Sequence, residues 1–331
     1  VLMLTLGLMF ALAGCGQKSQ TDVVDALTKK MSEIKGYKAD AKMTLKMGSE
    51  PQVYDVEVWY EAPSNYRVNL KNAQKDQSQI ILRNKEGVFV LTPALNKSFR
   101  FQSEWPKNSS QAYLYESLVM DVKDDKDASF KTTDNSYVFE SKTRYQNNKM
   151  LPLQIIEFDK KTLEPKRVEV MDSDRNTLVE VKFEKTSFNP DYGKGAFDVN
   201  KNMTGAQLEV PVMKTEEDAS LEVQYPTAEI DGVVLAGEKM IETEEGQKAV
   251  LTYAGADKEY TLIENNSKVV TEAAVTTVTG EPIDLGFTVG YMTDNSISWS
   301  YEGTDFMLAG KNLTMDELLM VAKSVAPVGE K

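Results

Sequence analysis

Apolar residues recur along this 331-residue chain at two periods, and the switches between them divide it into elements. Val24, Leu27, Met31 and Ile34 follow one another at spacings of three, four and three. They predict a helix over 21–35, with Thr21 or Asp22 as N-cap and Gly36 closing it. The period then drops to two. Ala39, Ala41, Met43, Leu45 and Met47 alternate with polar residues, as a strand with one buried face requires. Residues 51–60 are β-prone through Val53, Val56, Val58, Trp59 and Tyr60, and a turn at 62–65 leads to the alternating Tyr66, Val68 and Leu70. Ile80-Ile81-Leu82 and Val88-Phe89-Val90-Leu91 flank the hairpin turn Asn84–Gly87, and a strand follows at 98–102. Ser109 or Ser110 caps a second helix to about Val122, with Ala112, Tyr115, Leu118, Val119 and Val122 on one stripe. Further strands are expected at 137–143, 153–158, 166–171 and 178–183.

Lys, Asn, Thr and Glu crowd residues 201–220, which read as a linker between a first domain (21–200) and a second (221–331). The second domain shows strand patterns near 233–235, 248–253, 259–264, 288–292, 296–301 and 305–309. Thr314 and Glu317 then form a capping box for a final helix with Leu318, Leu319, Ala322 and Val325 on its buried stripe. The fold class is therefore α+β: an antiparallel sheet folded toward an open barrel and covered by helices, followed by a small α+β domain.

Charge sharpens the division. Residues 1–215 carry 31 Lys and Arg against 29 Asp and Glu, whereas residues 216–331 carry 7 against 22, a net of −15. Neither half concentrates basic residues, so no nucleic acid is expected as a partner, and an anionic membrane would repel the second half. Histidine is absent and Cys15 is the sole cysteine. That inventory excludes Cys/His zinc sites, Ser-His-Asp and Cys-His nucleophiles and any intramolecular disulfide. With no phosphate-loop or dinucleotide signature either, the expectation is a protein that is not an enzyme and takes no cofactor or metal. The acidic run from Asp121 to Asp127, broken by Lys123 and Lys126, lacks calcium-loop spacing and reads as a solvated helix end or loop.

The first thirteen residues are uncharged and apolar apart from Thr5 and Gly7, and they lead into Leu12-Ala13-Gly14-Cys15. This resembles a bacterial lipobox. The resemblance implies that 1–15 is a signal peptide, here lacking its basic start and so truncated. It makes Cys15 the lipidated first residue of a protein held at the extracytoplasmic face of a cell membrane.

The order of motifs in the first domain resembles the LolA-like lipoprotein-carrier superfamily. WYEAPSNYRVNL (59–70), ILRNKEGVFVLTPALNKSFRF (81–101), LPLQIIEFDKKTLEPKRVEVMDSDRNTLVEVKFEK (151–185) and Phe197 carry it. It implies a half-barrel with an apolar groove for a lipid or the acyl chain of a lipoprotein. The candidate liners are Met43, Leu45, Met47, Val56, Val58, Tyr60, Tyr66, Val68, Phe89, Leu91, Phe99 and Phe101. By the same resemblance Arg67 helps hold the helical lid, although strand alternation turns it away from Tyr66 and Val68, and a surface ion pair stays open for it. The second domain is similar to DUF4367, through VLTYAGADKEYTLIE (250–264) and ISWSYEGTDFMLAGKNLTMDELLMVAKSV (297–325). Two functional readings follow. One is a membrane-anchored lipid-binding module of envelope or spore-envelope assembly. The other is an envelope interaction or sensory protein, its shell filled by its own side chains, whose acidic second domain recruits a protein partner.

Overall fold

The computed structural model describes residues 18–46, 51–73, 77–107, 109–145, 150–209, 221–243, 246–268, 275–285 and 287–325. Cys15, Met47 and residues 210–220 of the expected linker lie outside the described residues.

Helix α1 (Gln20–Glu33) starts earlier than its apolar stripe suggests. Ser19 is the N-cap: its hydroxyl accepts from the Asp22 N–H at 3.2 Å, and the Asp22 carboxylate accepts from the Ser19 N–H at 3.0 Å. Gly36 does not close this helix but opens β1 (Gly36–Leu45). A Cβ there would sit 2.2 Å from the Tyr60 carbonyl oxygen, so only glycine lets the two strands approach. The first domain continues through β2 (Gln52–Glu61), β3 (Asn65–Asn72), β4 (Ser78–Asn84), β5 (Gly87–Thr92) and β6 (Lys97–Phe101). Helix α2 (Tyr115–Asp124) precedes β7 (Ser129–Thr132), β8 (Ser136–Lys142), β9 (Leu153–Asp159), β10 (Pro165–Met171), β11 (Thr177–Phe188) and helix α3 (Val199–Glu209). The beginning of the expected linker is thus helical.

The second domain contains β12 (Val234–Thr243), β13 (Gly246–Ala254), β14 (Glu259–Asn266), β15 (Val275–Thr277), β16 (Glu281–Asp284), β17 (Val289–Met292), β18 (Ser296–Tyr301), β19 (Thr304–Lys311) and α4 (Met315–Ser324). Seven of these strands form one sheet in the order β12-β13-β14-β19-β18-β17-β16, and β15 leaves it. It pairs in parallel with β6 as the outermost strand of the first domain's sheet, whose order is β15-β6-β5-β4-β3-β2-β1-β11-β10-β9-β8-β7. That sheet is open, with the short strands β15 and β7 at its ends. The α+β architecture of an open, helix-covered sheet followed by a smaller α+β domain stands as expected. Among the described residues no helix is long and apolar enough to cross a membrane.

The large sheet is covered on both faces where β4 and β5 run, and the sequence records this as loss of alternation. Ile81, Val88 and Val90 belong to the main core, on the face that also meets the second domain, whereas Ile80, Leu82, Phe89 and Leu91 pack against Met203, Val199 and Ala206 of α3.

Candidate functional site

The face under α1 and α2 is built from the alternating residues of β1–β3. Met43, Leu45, Val56, Val58, Tyr60, Tyr66 and Val68 are all there, and none is more than 9% exposed. Their space is filled by the protein itself. Val23 and Leu27 of α1 and Tyr115, Leu118, Val119 and Val122 of α2 belong to the same cluster. A row of rings crosses the strands, since Tyr37 pairs with Tyr60 and Tyr60 with Tyr66, with centroids 5.5 and 4.9 Å apart. Trp105 closes the row edge-on to Tyr66 at 5.7 Å.

Helix α2 is docked by polar groups as well as by burial. Leu114 occupies its N-cap position and has no oxygen to offer. The Tyr37 hydroxyl substitutes, accepting from the Tyr115 N–H at 3.0 Å while donating to the Glu116 carboxylate at 2.7 Å. Burial raises the Glu116 pKa above the ordinary carboxylate value, against the lowering effect of hydrogen bonds from Tyr37 and Tyr66. Further along, the buried Asp121 carboxylate accepts from Arg144 Nε at 2.5 Å, Gln154 Nε2 at 2.7 Å and the Ser110 hydroxyl at 2.9 Å. Burial lifts its pKa too, outweighing the Arg144 guanidinium. Ser110 also accepts from the Arg144 N–H at 2.7 Å, which explains why 109–114 stay in turns and the helix starts later than its stripe predicts.

These contacts correct two expectations. Asp121 belongs to a buried network, not to a solvated helix end. Arg67 does not hold the lid as the resemblance implies but makes the alternative ion pair: on the opposite face it pairs with Glu57, donates to Asn202 of α3 at 2.6 Å and stacks 4.4 Å from the Trp59 ring. The arginine that grips α2 is Arg144. The expected liners do not share one groove either. Phe89 and Leu91 pack under α3 on the far face, because period-two alternation separates them from Val88 and Val90.

Phe99 and Phe101 line a different space. The second domain packs against β4–β6, and between them runs a cleft of about 230 Å³. Phe99, Phe101 and Val90 wall it on one side, and Tyr291, Trp299, Phe306 and Met307 on the other. Lys97 and Asp305 bridge it at 2.7 Å, with the Ser267 and Ser300 hydroxyls also donating to Asp305. Beyond the cleft, the Val289 N–H donates to Gln79 Oε1 at 2.7 Å and the Tyr54 hydroxyl donates to the Phe287 carbonyl at 3.0 Å. The second domain thus lies against the end of the sheet that the helices leave uncovered. Among the described residues, no three His, Cys, Asp or Glu are grouped to hold a metal ion.

Residues 1–197 match the sequence profile of the YdcC-like sporulation proteins. Over 327 residues the chain is 50% identical to sporulation protein YdcC of Bacillus subtilis (strain 168), covering 98% of this chain and 96% of that one. The chain belongs to this family. Residues 208–325 match DUF4367, a domain of unknown function, so both parts of the chain have relatives of their own. Among solved structures, the Pseudomonas aeruginosa MucA/MucB complex contains a chain 13% identical to this one, covering 94% of this chain and 99% of that chain with a TM-score of 0.36. A putative outer membrane lipoprotein-sorting protein domain from Vibrio parahaemolyticus is 13% identical over 56% of this chain and 100% of its own, with a TM-score of 0.33. The LolA superfamily protein NE2245 from Nitrosomonas europaea is 10% identical over 54% and 98%, with a TM-score of 0.29.

Proposed function

We propose that this member of the sporulation family is a lipoprotein tethered through Cys15 to the extracytoplasmic face of the cell membrane. In this reading it handles a lipid, or the acyl chain of a lipoprotein, during envelope assembly, and it does so by binding without catalysis. The observation that supports it is the cleft of about 230 Å³ walled by Phe99, Phe101, Tyr291, Trp299 and Phe306. Its walls are largely apolar, and each methylene buried there contributes about 0.8 kcal/mol. Lys97 and Asp305, paired at 2.7 Å, supply polar groups to its lining.

The test uses the chain with Cys15→Ser, purified without detergent. Mass spectrometry of its organic extract is expected to find an acyl ligand, and a fluorescent fatty acid is expected to respond on titration. Met307→Trp, at a cleft-lining position 45% exposed, should abolish that response by filling the space. A ligand-free protein that leaves the probe unchanged sinks the acyl reading. The second reading, an interaction protein, is favoured by the self-filled face beneath α1 and α2.

A further inference from the structure

The two sheets have four ends, and three are protected. Strand β7 is only four residues long and carries Lys131. Strand β16 is also four residues long and contains Pro282. On the first sheet, β6 is covered by β15, three residues supplied by the second domain. Short edges, proline and intrachain cover are the usual defences against unwanted strand pairing. Strand β12 is neither short, covered nor broken by proline, and carries one basic residue, Lys239: it runs ten residues and pairs with β13 on one side, and among the described residues nothing pairs with the other side. Its one irregularity, between Leu235 and Gly237, leaves Glu238–Thr243 in regular register. All its residues but Ile241 are exposed, including Val234 at 67% and Met240 at 44%. A long edge that keeps apolar side chains in water and lacks these defences is suited to receive a strand.

Charge selects among occupants. Glu238, Met240 and Glu242 alternate on one face of β12, and Glu222, Glu229 and Asp231 lie in the segment leading to it. The second domain as a whole (221–331) carries 19 acidic residues against 7 basic. A second copy would bring the same excess, and like charges opposed across a ladder are destabilising. An anionic bilayer is repelled for the same reason. We propose that β12 is a docking edge for an extended basic segment of a partner protein. The segment adds as an eighth strand, with Lys or Arg opposite Glu238 and Glu242 and an apolar residue opposite Met240. The inference deepens the interaction reading and does not depend on the acyl one.

The probe is a capped fluorescent peptide, Thr-Lys-Thr-Val-Thr-Lys-Thr, whose alternate residues place Lys, Val and Lys on one face, titrated by anisotropy into the full chain carrying Cys15→Ser. Saturable, salt-sensitive binding is expected. It should weaken about tenfold or more with the double substitution Glu238→Lys and Glu242→Lys, whose side chains are exposed, and with Met240→Pro. It should also weaken when alternate peptide nitrogens are methylated, a control that keeps the charge, removes the ladder donors and needs no variant of the protein. Equal affinity for the methylated peptide overturns strand addition, and absence of binding overturns the proposal outright. Concentration-dependent dimers that Met240→Pro abolishes would make a second copy the occupant, against the proposal. The fatty-acid response should be unchanged in the Glu238→Lys, Glu242→Lys variant, so this edge and the cleft fail or succeed separately.

Discussion

Glu264 sets a pH dependence that can be worked through. Its side chain in β14 is fully buried, one carboxylate oxygen accepts from the Gln224 N–H at 2.9 Å, and the other has no hydrogen-bond partner. Burial, with Glu238 adding repulsion, lifts its pKa from 4.5 to about 7. The folded pKa lies above the unfolded one, so the stabilisation is fully present below pH 4.5 and is lost as pH rises through about 7. Linkage over that interval amounts to about 3 kcal/mol, and solvent screening reduces the expected effect to about 1–2 kcal/mol. The Gln224 side-chain oxygen is a second buried acceptor without a partner, so a proton on Glu264 supplies a donor the site lacks. Hydrogen exchange of peptides from β13 and β14, read at about pH 5 and about pH 8 and corrected for the intrinsic rate, measures the local opening free energy. The natural chain should lose about 1–2 kcal/mol across that interval, and Glu264→Gln should lose much less and be the more protected of the two at about pH 8. An identical pH response in both proteins would refute the assignment.

Substitutions at four other positions test the packing argument. Asp121→Ala or Arg144→Ala leaves a charge without its partner in the network under α2 and should cost about 3–5 kcal/mol in urea unfolding, with Asp121→Asn milder because it keeps an acceptor for Ser110 and Gln154. Lys97→Met should cost about 1–3 kcal/mol of interdomain stability, seen as faster proteolysis between the domains, because Asp305 is left with hydroxyl partners only. Gly36→Ala should cost about 1–3 kcal/mol in thermal unfolding, because its methyl meets the Tyr60 carbonyl oxygen.

The alternation of Met43, Leu45, Val56, Val58, Tyr66 and Val68 was sufficient to place them on one buried face, because a half-covered sheet writes its geometry at period two. The Thr314–Glu317 capping box was legible for the same local reason. Helix α3 was not. Its single fully buried residue, Met203, sits among polar neighbours, so the apolar stripe was too thin to separate from a linker. What reveals the helix is on the other strand set: the continuous runs Ile80–Leu82 and Val88–Leu91 need cover on both faces, and α3 provides the second. The Arg144–Asp121 pair spans 23 residues and depends on how α2 meets the end of β8, which no local pattern encodes. The interdomain cleft was hidden for a like reason, since neither wall is recognisable until β17–β19 face β4–β6.

The aromatic row decides where free space is left. Tyr37, Tyr60, Tyr66 and Trp105 occupy the sheet face beneath the helices, and Tyr115 of α2 stands edge-on to Tyr37 at 6.0 Å. Opening that face to a ligand means breaking the Tyr37 contacts to Tyr115 and Glu116 and taking one donor from a buried carboxyl, a cost of about 1–3 kcal/mol before any ring is displaced. The cleft at β4–β6 requires none of this. It is bounded by residues of both domains, so anything bound there touches both and is linked to the Lys97–Asp305 bridge beside it. Linkage makes the effect reciprocal. A ligand that tightens the domains must bind the docked arrangement more tightly by the same factor, so loosening the domains with Lys97→Met should weaken a cleft ligand, whereas a ligand seated under α1 and α2 would be indifferent to it.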